Sequence, residues 1–337
     1  MDSEAPMGLE ISACEKVKNA VTAAAAVLLL LGFASTAFAD HYAIVITGAA
    51  GGEAYAQKYD KWRLSFVTTL REKFHYPDDH LVVLADTDSA GVLKATRENV
   101  RRVLGDLRKR ATKDDQILVL LIGHGTSLDG EDAKFNLVGP DLSASEWADL
   151  LKPIPGTLVF VDTTSGSFPF LRKIAGRGRV VVTSTDSAAQ LFETAFPEFF
   201  VKAFDDPAAD VDKNGRVSMW EAFSYASAGV RHWFEQRGRL ATERPLLDDT
   251  GAGIGREAQN PGGDGAVARV TYLEPETASA AGDGALGALL KRKADLEAQI
   301  EALKARKDAM PPDQYDAELE KLVLALARVT QQIRTKS

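Results

Sequence analysis

Ile117-Leu118-Val119-Leu120-Leu121-Ile122-Gly123-His124-Gly125 is a buried strand that runs straight into a glycine-flanked histidine. A second stretch repeats the design: Thr157-Leu158-Val159-Phe160-Val161 leads into Asp162-Thr163-Thr164-Ser165-Gly166-Ser167. Unbroken Val, Ile and Leu runs, without polar alternation, are what a strand covered on both faces requires. Two of them, each ending in small polar residues, point to a parallel sheet whose loops gather chemistry beyond the strands' carboxyl ends.

Outward from this pair, the pattern from residue 42 to about 234 alternates strand and helix. Tyr42 to Thr47 reads as a strand feeding Gly48-Ala49-Ala50-Gly51-Gly52. Glu53 to Phe74 reads as one helix, with Tyr59, Trp62, Phe66 and Leu70 spaced by three and four. Leu81 to Ala85 is the next strand, and Thr96 caps a helix through Arg110. Phe135 to Val138 reads as a small extra strand, Ser143 opens a short helix, and Arg179 to Thr183 is another strand. Phe192, Phe196, Phe199, Phe200 and Phe204 form a helical stripe read as core. The expected fold is α/β: a three-layer α/β/α sandwich on a mostly parallel sheet, spanning residues 40–247. His124 and Thr164 then share one sheet edge, with Glu53 and Asp86 near them as candidate pocket residues.

The chain has 337 residues, 45% hydrophobic and 26% charged, as in ordinary globular proteins. A net charge of −8 and the lack of a basic stripe argue against nucleic acid as a partner. Residues 1–39 read as a signal peptide: Lys16 and Lys18, an apolar run from Ala20 to Phe33, then Ala37-Phe38-Ala39. Cleavage after Ala39 predicts a secreted or periplasmic protein with no stable membrane insertion. The single cysteine, Cys14, lies in that leader, so residues 40–337 carry no thiol for a disulfide, a metal or nucleophilic attack.

The His124-Gly125 strand end and the Asp162-Thr163-Thr164 turn resemble the caspase, metacaspase and legumain group of cysteine peptidases. In that group the third strand ends in His-Gly. The fourth ends in an acidic or polar residue, a small residue, and the nucleophilic cysteine, followed by Ser-Gly. The resemblance implies a caspase-like fold and peptide-bond hydrolysis, with His124 as general base and Gly125 N–H as oxyanion donor. Thr164 stands where the cysteine belongs, and Ser165-Gly166 follows without the residue usually found between. A thiol beside imidazole ionises readily, whereas a hydroxyl must lose its proton in the transition state. The expectation is a pseudo-peptidase that binds a peptide or protein partner. The alternative is an active hydrolase that uses His124 with Thr164 or Ser165.

Asp210, Asp212, Asn214, Gly215, Ser218 and Glu221 fall at positions 1, 3, 5, 6, 9 and 12 of an EF-hand calcium loop, with the Arg216 carbonyl at 7. Short oxygen side chains converge, glycine permits the turn, and Glu221 closes the site with two oxygens. Calcium is thus the expected cofactor, structural and weakly bound, at on the order of 10⁻⁴ to 10⁻³ M. Asp248-Asp249-Thr250-Gly251 reads as a turn rather than a second such loop. Residues 248–285 form a Gly- and Ala-rich connection with one expected strand at Val267 to Leu273. In 286–337, apolar residues from Leu286 to Leu303, interrupted by Lys293, and from Tyr315 to Ile333 step by three and four around Pro311-Pro312. That pattern predicts an antiparallel helical hairpin or coiled coil, a candidate homo-oligomer arm, and a third reading of the chain as a calcium-stabilised scaffold.

Overall fold

The computed structural model describes residues 39–127, 133–188, 190, 192–275 and 310–334, with positions 289, 292–293, 296, 299–300, 303–304 and 306–307. The chain divides into units Met1–Ala39 and Asp40–Ser337, and all but Ala39 of the described residues belong to the second. The expected leader, up to residue 38, lies outside the described residues.

In chain order the elements are β1 (His41–Thr47), α1 (Glu53–Thr68), β2 (Leu81–Ala85), β3 (Leu93–Lys94), α2 (Arg97–Arg110) and β4 (Gln116–Ile122). Three short strands follow, β5 (Gly125–Thr126), β6 (Lys134–Phe135) and β7 (Leu142–Ser143). Then come α3 (Ala144–Leu151), β8 (Thr157–Asp162), α4 (Phe168–Ile174), β9 (Arg179–Thr183), α5 (Phe196–Ala203), α6 (Met219–Glu235), β10 (Leu246–Asp248) and α7 (Pro312–Arg334).

Seven strands form one sheet in the order β10-β9-β8-β4-β1-β2-β3. All neighbours are parallel except β10, which runs antiparallel to β9. The alternate residues of each strand bury into different layers. Ala43, Val45, Leu118, Leu120, Val159 and Val161 pack with Phe66, Phe200 and Phe223 from α1, α5 and α6, and with Phe204 just after α5. Ile44, Ile46, Ile117, Val119 and Phe160 pack with Leu104, Trp147 and Phe170 from α2, α3 and α4. The mixed α/β sandwich is therefore the one expected, and both faces of the central strands are apolar because both are covered. The flanking helices carry their own start signals. Thr96 caps α2 by accepting from Asn99 N, and Ser143 and Glu146 form a capping box on α3.

The structure departs from the sequence reading in four places. The helix from Glu53 ends as an α-helix at Thr68 and widens into a π-type turn over Thr69–Lys73, where Phe74 N bonds Thr69 O five residues back. The small strand lies at Lys134–Phe135, in an antiparallel sheet of β5, β6 and β7. Val267 to Leu273 holds a 3₁₀ turn at Ala268–Val270 instead of a strand. The Asp249 carboxylate takes the N–H groups of Gly265 and Ala268 there, which curls the chain, and only Tyr272 bridges Ser218. Phe192 is 72% exposed, while Phe196, Phe200 and Phe204 fill the core as expected. The 248–251 segment is the expected turn, with Gly251 N on the Asp248 carboxylate.

The first arm of the expected hairpin lies mostly outside the described residues; Leu296, Ile300 and Leu303 within it are buried. The second arm is α7, and Tyr315 near its start is buried. None of the described helices is long and apolar enough to cross a membrane.

Candidate functional site

Strands β1, β4, β8 and β9 are neighbours, and their carboxyl ends release four loops onto one edge. The loop after β1 is fastened by Gly48 N to Ile122 O (2.9 Å) and Ala49 N to Asn136 O (3.0 Å). Ala50 N donates to Asp86 Oδ2 at 3.3 Å, so this candidate pocket acid braces the loop. Glu53 accepts from Gln57 at the exposed start of α1. Gly123, at φ 148°, turns the chain out of β4 in a conformation that side-chain-bearing residues rarely adopt.

His124 faces the β1 loop and α1. Its Nε2 lies 3.1 Å from Ala50 O, and Tyr59 Oη lies 3.3 Å from Nδ1 and 3.2 Å from Nε2. A carbonyl only accepts, so a hydrogen bond to Ala50 O needs a proton on Nε2, the tautomer in which Nδ1 can accept from the Tyr59 hydroxyl. Tyr55 packs edge-on against the ring at 4.7 Å between centroids. Burial raises the pKa of the Tyr59 phenol, which keeps it a proton donor.

Thr164 lies on the other side of Gly125. A Cβ added to Gly125 would meet Thr164 Oγ1 at 2.4 Å and Gly166 N at 2.8 Å. Gly125 is therefore required by the close approach of the Thr164 turn. Thr164 is fully buried, and its hydroxyl has no hydrogen-bond partner among the described residues. Ser165 Oγ reaches Gly125 O at 3.4 Å. The structure thus brings Gly125, Thr164 and Ser165 together, and hydrogen bonds turn the His124 ring toward Tyr59 and Ala50.

Buried hydroxyls hold the turn shut. Ser167 Oγ accepts from Ser184 N (3.1 Å) and Thr185 N (3.2 Å). The Ser184 and Thr185 hydroxyls donate to Thr164 O and Ser165 O, and Thr163 Oγ1 donates to Leu121 O. Asp162 Oδ1 accepts from Thr164 N at 2.9 Å; Oδ2 has no partner among the described residues. Complete burial pushes the Asp162 carboxyl up to about 7. The Thr164 N–H and hydroxyl pull the other way, although the hydroxyl lacks hydrogen-bond geometry.

Tyr59, Ser167, Ser184 and Thr185 escaped the sequence reading as site residues. Tyr59 belongs to the apolar stripe of its helix, and only the fold brings its polar tip to His124. The run of Ser and Thr after β8 and again after β9 is the one local signal that two loops share hydroxyl chemistry.

The acidic loop is built differently. Carboxylate oxygens of Asp210, Asp212 and Glu221 lie within 4.8 Å of one another. Gly215 takes φ 86°, and Asp210 receives Asn214 N and Gly215 N. Asn214 bonds Asp212 through its amide, and Ser218 and Glu221 form a capping box at the start of α6. Glu221 Oε1 also accepts Val211 N at 2.9 Å. The Arg216 side chain leaves the loop to lie over Tyr272, 4.1 Å from its centroid, and to pair with Glu274. Burial is the first cause that raises the Asp212 carboxyl, and the charge on Glu221 adds to it. Three hard carboxylates with amide and hydroxyl oxygens nearby suit a cation that prefers oxygen. A cleft of about 310 Å³ beside the loop is lined by Asp212, Trp220, Glu221, Arg269 and Tyr272.

No family model matches the chain. It is 29% identical over 96 residues to metacaspase-4 of Arabidopsis thaliana, a match covering 26% of this chain and 23% of that protein. The chain thus spans less than a quarter of that relative. The crystal structure of a Geobacter sulfurreducens structural-genomics protein aligns with a TM-score of 0.39 at 14% identity, over 62% of this chain and 92% of the other. The metacaspase similarity and the mostly parallel central sheet fit a caspase-like fold.

Proposed function

We propose that this chain is a pseudo-peptidase: a caspase-like protein in which Thr164 stands in the nucleophile's place and the sheet edge around His124 binds a peptide or protein partner. The carrying observation is the fully buried Thr164 hydroxyl, packed against Gly125, while both ring nitrogens of His124 are taken by Tyr59 and Ala50. A hydroxyl needs a base on it throughout attack. Here the accepting nitrogen already holds another proton donor, so neither half of an acyl transfer is in place.

The purified protein, incubated with a mixed fluorogenic peptide library and calcium, is expected to show no turnover. Turnover that disappears in both His124→Ala and Thr164→Ala overturns this reading and establishes the second one, a hydrolase in which His124 activates Thr164 or Ser165. That second reading is favoured by Ser165, which is 9% exposed and stands beside Gly125.

Calcium belongs to the same proposal as a structural ion. Its ligands would be the side chains of Asp210, Asp212, Asn214, Ser218 and Glu221 and the carbonyl of Arg216. The bound ion would neutralise the mutually repelling carboxylates and fix the start of α6, without entering any reaction. Residues 286–337, including α7, supply the candidate surface for a second copy.

A further inference from the structure

Two buried carboxyls brace the Thr163–Thr164 turn from opposite ends. Asp162 is inaccessible to solvent and holds Thr164 N. Glu243, 1% exposed, sits on the segment before β10 and accepts Ala195 N at 2.7 Å and Phe196 N at 2.8 Å. The two are linked through Thr194, whose hydroxyl donates to Thr163 O and which directly precedes Ala195, the first amide that Glu243 holds. A loosened turn would therefore release both acids.

The charges around them are few. Asp162 pairs in register with Leu121 of β4 and Thr183 of β9. Beyond β4 the next titratable side chain is His124, turned toward Tyr59 and Ala50. Beyond β9 it is Asp186, ion-paired to Arg244 at 2.9 Å. Burial and the two Thr164 groups act on the Asp162 carboxyl. Glu243 faces Lys58 of α1, which favours its charge, and Glu193, which opposes it, and those two pair with each other at 2.9 Å. Its chain neighbour Arg244 is turned to Asp186 and Glu257.

We propose that Asp162 and Glu243 form a proton-operated clasp, which holds the Thr164 turn closed while both carboxyls are neutral and lets it open as they ionise. The clasp works whether or not the turn does chemistry. The protons go to solvent, and the carboxylates gain water on opening. Burial raises both groups to about 7 in the closed state, against the ordinary carboxylate range once exposed. The closed state thus binds more protons, and closure is fully favoured below about pH 4. That advantage is lost as pH rises through about 7, and above it opening no longer depends on pH.

The test is amide hydrogen exchange on the whole protein from pH 5 to 9, corrected for the intrinsic base-catalysed rate. Opening at Thr163, Thr164, Ser184 and Thr185 is expected to rise about tenfold per pH unit for each carboxyl released, then level off above about pH 7. Leu118 to Leu121 in β4 should not follow that slope. Asp162→Asn and Glu243→Gln should each remove one factor of ten from it. A flat wild-type profile, or a slope unchanged in both variants, overturns the proposal. Carboxyl-detected NMR titration of the wild type does not depend on the variants folding. Midpoints near 7 for both groups are expected, and midpoints below 5 would sink the clasp.

Discussion

The Asp162–Ser167 turn and the Asp210–Glu221 loop are both short, polar and closed by a glycine, yet they are built to opposite ends. In the first, hydroxyls are spent on backbone groups of the neighbouring loop, and the Thr164 side chain is sealed. In the second, the carboxylates converge with Asp212 exposed, and like charges share a space of 4.8 Å. Buried polar groups are stable when their partners are inside the protein, and converging carboxylates are stable when something positive sits among them. The first region is closed by its own hydroxyls, with Thr164 Oγ1 and Asp162 Oδ2 left over among the described residues; the second has carboxylates that could hold a cation.

The largest effect should come from breaking the seal itself. Gly125→Ala drives a methyl group to 2.4 Å from Thr164 Oγ1 and 2.8 Å from Gly166 N, and the second contact is backbone, which cannot rotate away. Over-packing of this kind costs about 1–3 kcal/mol, and the top of that range is expected here. Urea unfolding of Gly125→Ala, alone and with Thr164→Ala, measures it. The double variant should recover only part of the loss, since the Gly166 contact persists. A full recovery would mean that the turn is free to shift, and the contrast with the open loop would weaken.

Calcium should act next in size, and on the other region alone. With binding on the order of 10⁻⁴ to 10⁻³ M, as proposed, 10 mM calcium would stabilise the folded protein by about 1.4–2.7 kcal/mol. Calorimetry should show Tm rising with calcium in the wild type and unchanged in Asp210→Ala. A rise that survives Asp210→Ala would place the ion elsewhere.

The same contrast explains what was readable beforehand. Spacing carries the acidic loop, because its six candidate ligand positions fall at fixed intervals within twelve residues of one another, and the strands are readable because continuous apolar runs have few other uses. The seal was not readable. Its members come from Asn136, the turn after β8 and the turn after β9, so partnership depends on strand order rather than spacing. Gly125 shows the limit most clearly. A glycine after a strand-end histidine reads as access for a ligand, whereas here it admits the chain's own turn. The Val267–Leu273 stretch misleads for the same reason: Asp249, 16 and 19 residues upstream of the amides it binds, decides its shape.

The smallest expected effect is the most discriminating. Thr164→Val replaces a buried hydroxyl with a methyl group of nearly the same shape. A buried hydroxyl that makes its hydrogen bond is worth about 1 kcal/mol, but one without a partner carries only its desolvation cost. Thr164 Oγ1 has none among the described residues, so Thr164→Val should be neutral or stabilising by up to about 1 kcal/mol in the urea midpoint. The neighbouring orphan, Asp162 Oδ2, sharpens the reading. If Thr164→Val instead destabilises, and does so more at pH 8 than at pH 5, the hydroxyl is donating to an ionised Asp162. The turn would then hold a polarised Thr–Asp pair, and the sealed region would share the unfinished character of the acidic loop.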